Sequence, residues 1–179
     1  MRYPRRYLSP GTKGCETFVM GKAGETIEID ELDRQILNRM SAGTFVSDSE
    51  LAANLSISPS TVVRRVAALK SNGILLGDTY RVDPSLLGYS AYRILITMKR
   101  LGADIRRRII QFCDEELAVR IMVESLGSWD YELELEVADG RDIKQFTGRL
   151  YEAFPQDIVS LNVIPIFQHL KYSGFPVVR

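Results

Sequence analysis

Histidine and cysteine are almost missing from this chain of 179 residues, which has one histidine, His169, and two cysteines, Cys15 and Cys113, far apart and without metal-ligand spacing. That scarcity argues against a zinc site or a disulfide framework and fits a reducing compartment. No paired acid and base, activated nucleophile or phosphate loop stands out, so the chain is not expected to be an enzyme or to carry a cofactor. Long apolar runs are missing too: none approaches the roughly 18 residues of a membrane span. The N-terminus lacks the apolar core of a signal peptide, so no membrane partner is expected and a cytoplasmic location is. Net charge is also absent, at zero, and any attraction to nucleic acid must come from a local patch. What remains is an ordinary globular composition, 45% hydrophobic and 26% charged, with length for one domain or two small ones.

The stretch from Asp48 to Gly73, DSELAANLSISPSTVVRRVAALKSNG, reads as two short helices joined by a tight turn. Ser47 or Asp48 suits the first N-cap, and Leu51, Ala52 and Leu55 make an apolar stripe behind it. Ser58 offers a second N-cap directly before Pro59, which suits a first helical position because proline has no N–H to leave unpaired. At 100° per residue, Val62, Val66 and Leu69 face inward, while Ser60, Arg64, Ala67 and Ser71 face outward with Thr61 and Ala68 beside them. No Asp or Glu occurs between Leu51 and Gly77, so Arg64, Arg65 and Lys70 stand uncompensated near hydroxyls and helix N–H groups that suit phosphate oxygens. Ser58, Ser60, Thr61, Arg64, Arg65 and Lys70 are therefore the candidate DNA-binding residues. Two helices and a turn also occur in proteins that never touch DNA, and Arg65, nearer the core edge, could equally be a structural partner for Asp30 or Asp33.

Residues 1–27 are rich in glycine, proline and basic side chains without a sustained period, a loosely structured arm with at most a short strand around Thr17 to Met20. Such an arm could touch phosphates or simply be a solvated tail. From Ile29, Leu32, Ile36, Leu37 and Met40 recur at helical spacing behind Asp30, Glu31 and Asp33, with Gly43 just past the end. Gly73 is expected as a C-cap, and Ile74 to Val82 as extended chain, a wing or linking hairpin ended by Asp83-Pro84. Residues 28–77 thus form a helix-turn-helix domain and 78–90 a linker strand.

The rhythm then changes. Tyr92, Ile94, Ile96 and Met98 alternate as a strand, Ala103 to Glu116 reads as a helix, and Val119, Ile121 and Val123 alternate again. After a turn at Gly127-Ser128, Tyr131, Leu133, Leu135 and Val137 alternate with Glu132, Glu134 and Glu136. Ile143, Phe146, Leu150 and Phe154 mark a second helix and Ile158 to Phe167 a last strand, before a tail at 169–179. The order over 91–168 is βαββαβ, the ferredoxin-like split unit, giving an α+β chain. Both helices cover one sheet face and leave the other open. With the third strand between the first and second, the three glutamates should face away from the helices toward Arg93 and Lys99 on one side and Arg120 on the other. Leu95, Met122 and Leu126 should share that face, which is either a subunit interface or a solvated surface. A row of glutamates would repel an RNA backbone, so RNA binding by this half is not expected.

Together, IDELDRQIL, LAANLSISPSTVVRRVAALKSNGIL, DPSLLGYS and LGSWDYELELEV resemble the Lrp/AsnC family of bacterial and archaeal transcription regulators, over roughly Ile29 to Phe167 and in the right order and spacing. The resemblance implies an N-terminal winged helix-turn-helix domain linked to a C-terminal ferredoxin-like domain that senses effectors and drives oligomerisation. It implies double-stranded DNA as partner, a homodimer or higher homo-oligomer formed by packing sheets together, and a small effector, often an amino acid, bound between subunits. On this chain the effector turn would be Gly127, Ser128, Trp129 and Asp130, which could otherwise be a simple tight turn. The chain departs from the family pattern at Ala67, Ala68 and Lys70, which shifts the expected phosphate footprint toward Ser58, Ser60, Thr61 and Arg64. The expected function is a sequence-specific DNA-binding transcriptional regulator. The alternatives are an effector-binding partner protein that no longer reads DNA and an enzyme resembling the sirohaem decarboxylases, which share a similar two-domain plan.

Overall fold

The structure is a computed structural model that describes residues 26–41, 47–76 and 82–170. The chain divides into two compact units, one holding the described residues up to Val82 and the other Asp83–His169. In the first unit, α1 (Glu31–Ser41), α2 (Asp48–Leu55) and α3 (Pro59–Ser71) pack around Ile36, Leu37, Leu51, Ala52, Val62 and Leu69. Each helix is too short to persist alone, so the shared core and the caps sustain all three.

The caps are local. Ser47 is the N-cap of α2: its hydroxyl accepts from the Glu50 N–H at 3.2 Å while the Glu50 carboxylate accepts from the Ser47 N–H at 2.9 Å. This reciprocal pair satisfies two donors that a helix start leaves over. Ser56, in the left-handed region at φ 55°, ends α2, and Ser58 caps α3 ahead of Pro59. At the far end of α3, Gly73 takes φ +71°, and the N–H groups of Gly73 and Ile74 return to the carbonyls of Lys70 and Leu69. The expected arm up to Glu25, the stop at Gly43 and residues 77–81 of the segment expected as extended from Ile74 to Val82 lie outside the described residues, as does the tail from Lys171; Ile74 to Leu76, which are described, form no strand.

The second unit opens with a correction. Pro84–Leu87, expected within a linker strand, form a 3-10 helix. The Asp83 carboxylate accepts from the Ser85 N–H at 3.0 Å, Pro84 presets the first turn, and Gly88 closes it at φ +80°. Beyond it run β1 (Ser90–Met98), α4 (Ala103–Glu115), β2 (Val119–Glu124), β3 (Tyr131–Val137), α5 (Gly140–Ala153) and β4 (Ile158–Ile166). The strands form one antiparallel sheet in the order β2-β3-β1-β4, so β3 lies between β1 and β2 as the split unit requires. Ile94 and Ile96 of β1, Leu133 and Leu135 of β3, Ile109 of α4, and Phe146 and Leu150 of α5 are buried in one core. Phe112 stacks obliquely on Phe146, ring centroids 5.8 Å apart, and edge-on to Phe154 at 6.0 Å.

The alternation of β2 does not run as the sequence suggested. Val119 lies opposite Leu135 and Met122 opposite Leu133, both on the helix-covered side, whereas Ile121 and Val123 lie opposite Glu134 and Glu132 on the open face. A bulge between Val119 and Ile121 inserts one extra residue and reverses the phase of everything after it. Met122 accordingly packs against the core and Val123 is exposed.

Phe146, 1% exposed, packs against Phe112 within the buried core. Phe146→Ala should lower unfolding free energy by about 3–5 kcal/mol, read from urea denaturation, because the removed ring leaves a cavity that the sheet cannot collapse to fill.

Candidate functional site

The outer surface of α3 is built from its N-terminus up. Pro59 and the Ser58 cap fix where the helix begins, and that places three hydroxyls together. Ser58 Oγ lies 2.9 Å from Ser60 Oγ and 2.8 Å from Thr61 Oγ1, and it accepts from the Thr61 N–H at 3.2 Å. Ser58 and Ser60 are exposed at a helix end where N–H dipoles converge, an arrangement suited to phosphate oxygens. Arg64, Ala67 and Ser71 continue the exposed line, and Lys70 is exposed beside it. With no acidic side chain in the helix, this surface carries a local excess of positive charge on a chain that is neutral overall.

Arg65 has a different setting. Its Nη1 lies 2.6 Å from Asp30 Oδ2 and 3.2 Å from both Asp33 oxygens, so the guanidinium ties α3 to the start of α1. The Asp30 carboxyl is held below its ordinary value, first by the Asp33 N–H it accepts and then by Arg65. Of the six residues that sequence reasoning grouped, Ser58, Ser60, Thr61, Arg64 and Lys70 lie along the outer side of α3 and Arg65 is turned to its neighbour. The grouping missed Val63, which is exposed on that side.

The second candidate lies between β2 and β3. Gly127 and Ser128 are exposed, and Trp129 and Asp130 are half-buried. Gly127 has φ +153°, a conformation that residues with a Cβ rarely adopt. Asp130 fastens the turn to the end of β1: its carboxylate accepts from the Met98 N–H at 2.7 Å, and its own N–H donates to the Ile96 carbonyl at 2.9 Å. Ser125 Oγ donates to the Trp129 carbonyl at 2.9 Å, and Thr97 Oγ1 donates to the Ser128 carbonyl at 3.3 Å. Ser125 and Thr97 were missed from sequence because a serine and a threonine near a strand end carry no signal of the carbonyl they will reach.

The open sheet face joins ion pairs to apolar side chains. Arg93 Nε is 2.9 Å from Glu132 and its Nη2 is 3.5 Å from Glu134, while Arg120 is paired with the buried Glu136. His169 Nε2 lies 3.7 Å from Glu134. Lys99, expected among these pairs, falls beyond the end of β1 and instead donates its backbone N–H to the Asp157 carbonyl at 2.7 Å. Leu126 does not share this face either: it projects from the turn, 98% exposed. Cys113 is a core side chain whose thiol burial pushes up to about 12, leaving it protonated and inert. Among the described residues no group of three His, Cys, Asp or Glu is placed to hold a metal, and no helix is long and apolar enough to cross a membrane.

Residues 29–70 match the AsnC-type helix-turn-helix domain. The chain is 42% identical over 119 residues to the HTH-type transcriptional regulator LrpA of Pyrococcus horikoshii, covering 64% of this chain and 80% of that protein. It is 26% identical over 165 residues to the leucine-responsive regulatory protein of Serratia marcescens, covering 90% and 98% of the two chains. Among solved structures, a transcriptional regulator from Neisseria meningitidis, determined as its L-Met complex, superposes with a TM-score of 0.73 at 18% identity, over 83% of this chain and 97% of that one.

Two stability outcomes follow from this geometry. A carboxylate held low contributes stability that is complete above its ordinary value of 3.8 and is lost as pH falls through its lower folded value. Arg65→Gln should therefore lower the melting temperature at neutral pH, and the gap to the unaltered protein should close as the pH drops below that range; an unchanged melting temperature at neutral pH would remove the ion pair from the account. Gly127→Ala meets no neighbouring atom yet must adopt the same φ, so urea denaturation should show a loss of about 1–3 kcal/mol from backbone strain alone.

Proposed function

The chain belongs to the Lrp/AsnC family of DNA-binding transcriptional regulators, and from that premise we propose that it acts as a homo-oligomer on specific duplex DNA under the control of a small effector such as an amino acid. The outer side of α3 carries the reading: a capped helix start with clustered hydroxyls, followed by Arg64 and Lys70 and no carboxylate. In the major groove, Arg64 would address base edges or phosphate, while Ser58, Ser60, Thr61 and Lys70 would hold the backbone. Arg65 would act indirectly, by keeping α3 at its angle on α1.

Assembly rests on the open face of the sheet. Val123 and Ile164, both exposed, flank charges that are already paired within the subunit, so a second copy could cover the apolar part without stranding a charge. Two helix-turn-helix units related by a two-fold axis would call for a roughly palindromic site with half-sites about one helical turn apart or a multiple of it.

The effector reading centres on Gly127, Ser128, Trp129 and Asp130. The Neisseria regulator determined with L-Met supports a ligand of amino-acid class for this chain. Because the Asp130 carboxylate already accepts from β1, its part would be to hold the turn, leaving exposed backbone at Gly127 and Ser128 for a ligand. An effector would act through different affinities for two assembly or DNA-binding states. The decarboxylase alternative finds no support, since the relatives are named transcriptional regulators.

Selection of duplexes from a random-sequence pool by the purified chain at near-physiological salt should enrich a rough palindrome. Arg64→Ala should weaken binding to it by about 1–3 kcal/mol while sedimentation shows the same assembly. Absence of any enriched sequence, with or without added amino acids, would overturn the reading, and loss of assembly in Arg64→Ala would overturn its assignment to Arg64.

A further inference from the structure

Among the described residues, Val63 is not part of any core that would call for a valine. It is 52% exposed, lies outside the core cluster that takes Val62, Leu69 and Val66, and occupies a helix interior, where a β-branched side chain is less favourable than alanine. A single exposed apolar residue would mean little. Val63, however, stands next to Arg64 and four residues before Ala67, which is also exposed, so the two make a strip of methyl groups along the helix beside the Arg64 position.

We infer that Val63, with Ala67, is a specificity-determining contact that reads the C5-methyl group of a thymine in the major groove, beside a base addressed by Arg64. This inference rests on the DNA-binding reading above and deepens it. The helix bears arginine and lysine without an acid, so the complement of this surface is an anionic polymer. Valine has no donor for a phosphate and no polar group for a base edge. The thymine methyl is the apolar feature that the major groove offers, and the minor groove has none. Arg64, with its fork of donors, suits guanine O6 and N7. The half-site should therefore hold a thymine close to a guanine, with the thymine recognised by its methyl group.

The test uses the full chain and a duplex that it has itself selected from a random-sequence pool. Each thymine is replaced in turn by deoxyuridine, which removes only the methyl group, and the dissociation constant is measured for the unaltered protein and for Val63→Ala. At one thymine per half-site the unaltered protein should lose about three- to fourfold in affinity, the value of one buried methyl group. Val63→Ala should bind the thymine duplex more weakly, and its loss on replacement by deoxyuridine there should be smaller than that of the unaltered protein, Ala67 keeping the rest of the contact. Because Val63 is exposed, the variant should melt with the unaltered protein. Equal sensitivity of both proteins at every thymine, or no sensitivity at any, would overturn the assignment while leaving DNA binding standing. Failure of the unaltered chain to select any duplex would overturn the DNA-binding reading, and this inference with it.

Discussion

β3 has a neighbour on each side, so every one of its side chains must find a partner above or below the sheet. Tyr131, Leu133, Leu135 and Val137 go down beneath α4 and α5, and all are buried. The same period of two then delivers Glu132, Glu134 and Glu136 to the opposite face. Carboxylates in the middle of a sheet are tolerable there because β1 brings Arg93 and β2 brings Arg120 across from them. One central strand thus sets the hydrophobic core, the charge pattern of the open face, and the register to which the turn between β2 and β3 is attached through Asp130.

The helix-turn-helix unit obeys a different economy. It is small, with six buried apolar side chains at its centre, and depends on caps to define its helices. Those caps also shape the surface: the serine that starts α3 gathers Ser60 and Thr61 around it, and the proline that follows fixes which residues turn outward. The long-range tie from Arg65 to Asp30 and Asp33 converts a charged residue of α3 into part of the frame that orients the rest. In both units, then, ion pairs within the chain position other groups and leave a distinct set of side chains facing outward.

Much of this was open to reading residue by residue. Helical spacing from Leu32 to Met40, the Ser58-Pro59 start, and the alternation of β3 rest on nearest-neighbour geometry, and helix-turn-helix followed by βαββαβ came directly from them. Lys99 and the phase of β2 did not. A bulge leaves no mark in composition, because Val119, Ile121 and Val123 alternate as well as any strand, and only pairing with β3 shows that an extra residue has entered. The 3-10 turn at Pro84–Leu87 was hidden for a related reason: Asp83-Pro84 signals a break, and the Ser85 N–H decides its form.

From the sequence alone came the elements, their order, the family resemblance and the acid-free helix, all of which depend on contacts within a few residues along the chain or on pattern. Contacts between distant segments decided that Arg65, left by the sequence between DNA and Asp30 or Asp33, is paired with both aspartates, which carbonyls Ser125 and Thr97 hold, and which side of the sheet receives Ile121 and Met122. The physical reason is that a side chain's direction follows local backbone geometry, whereas its partner depends on what folding brings within a few ångströms of it.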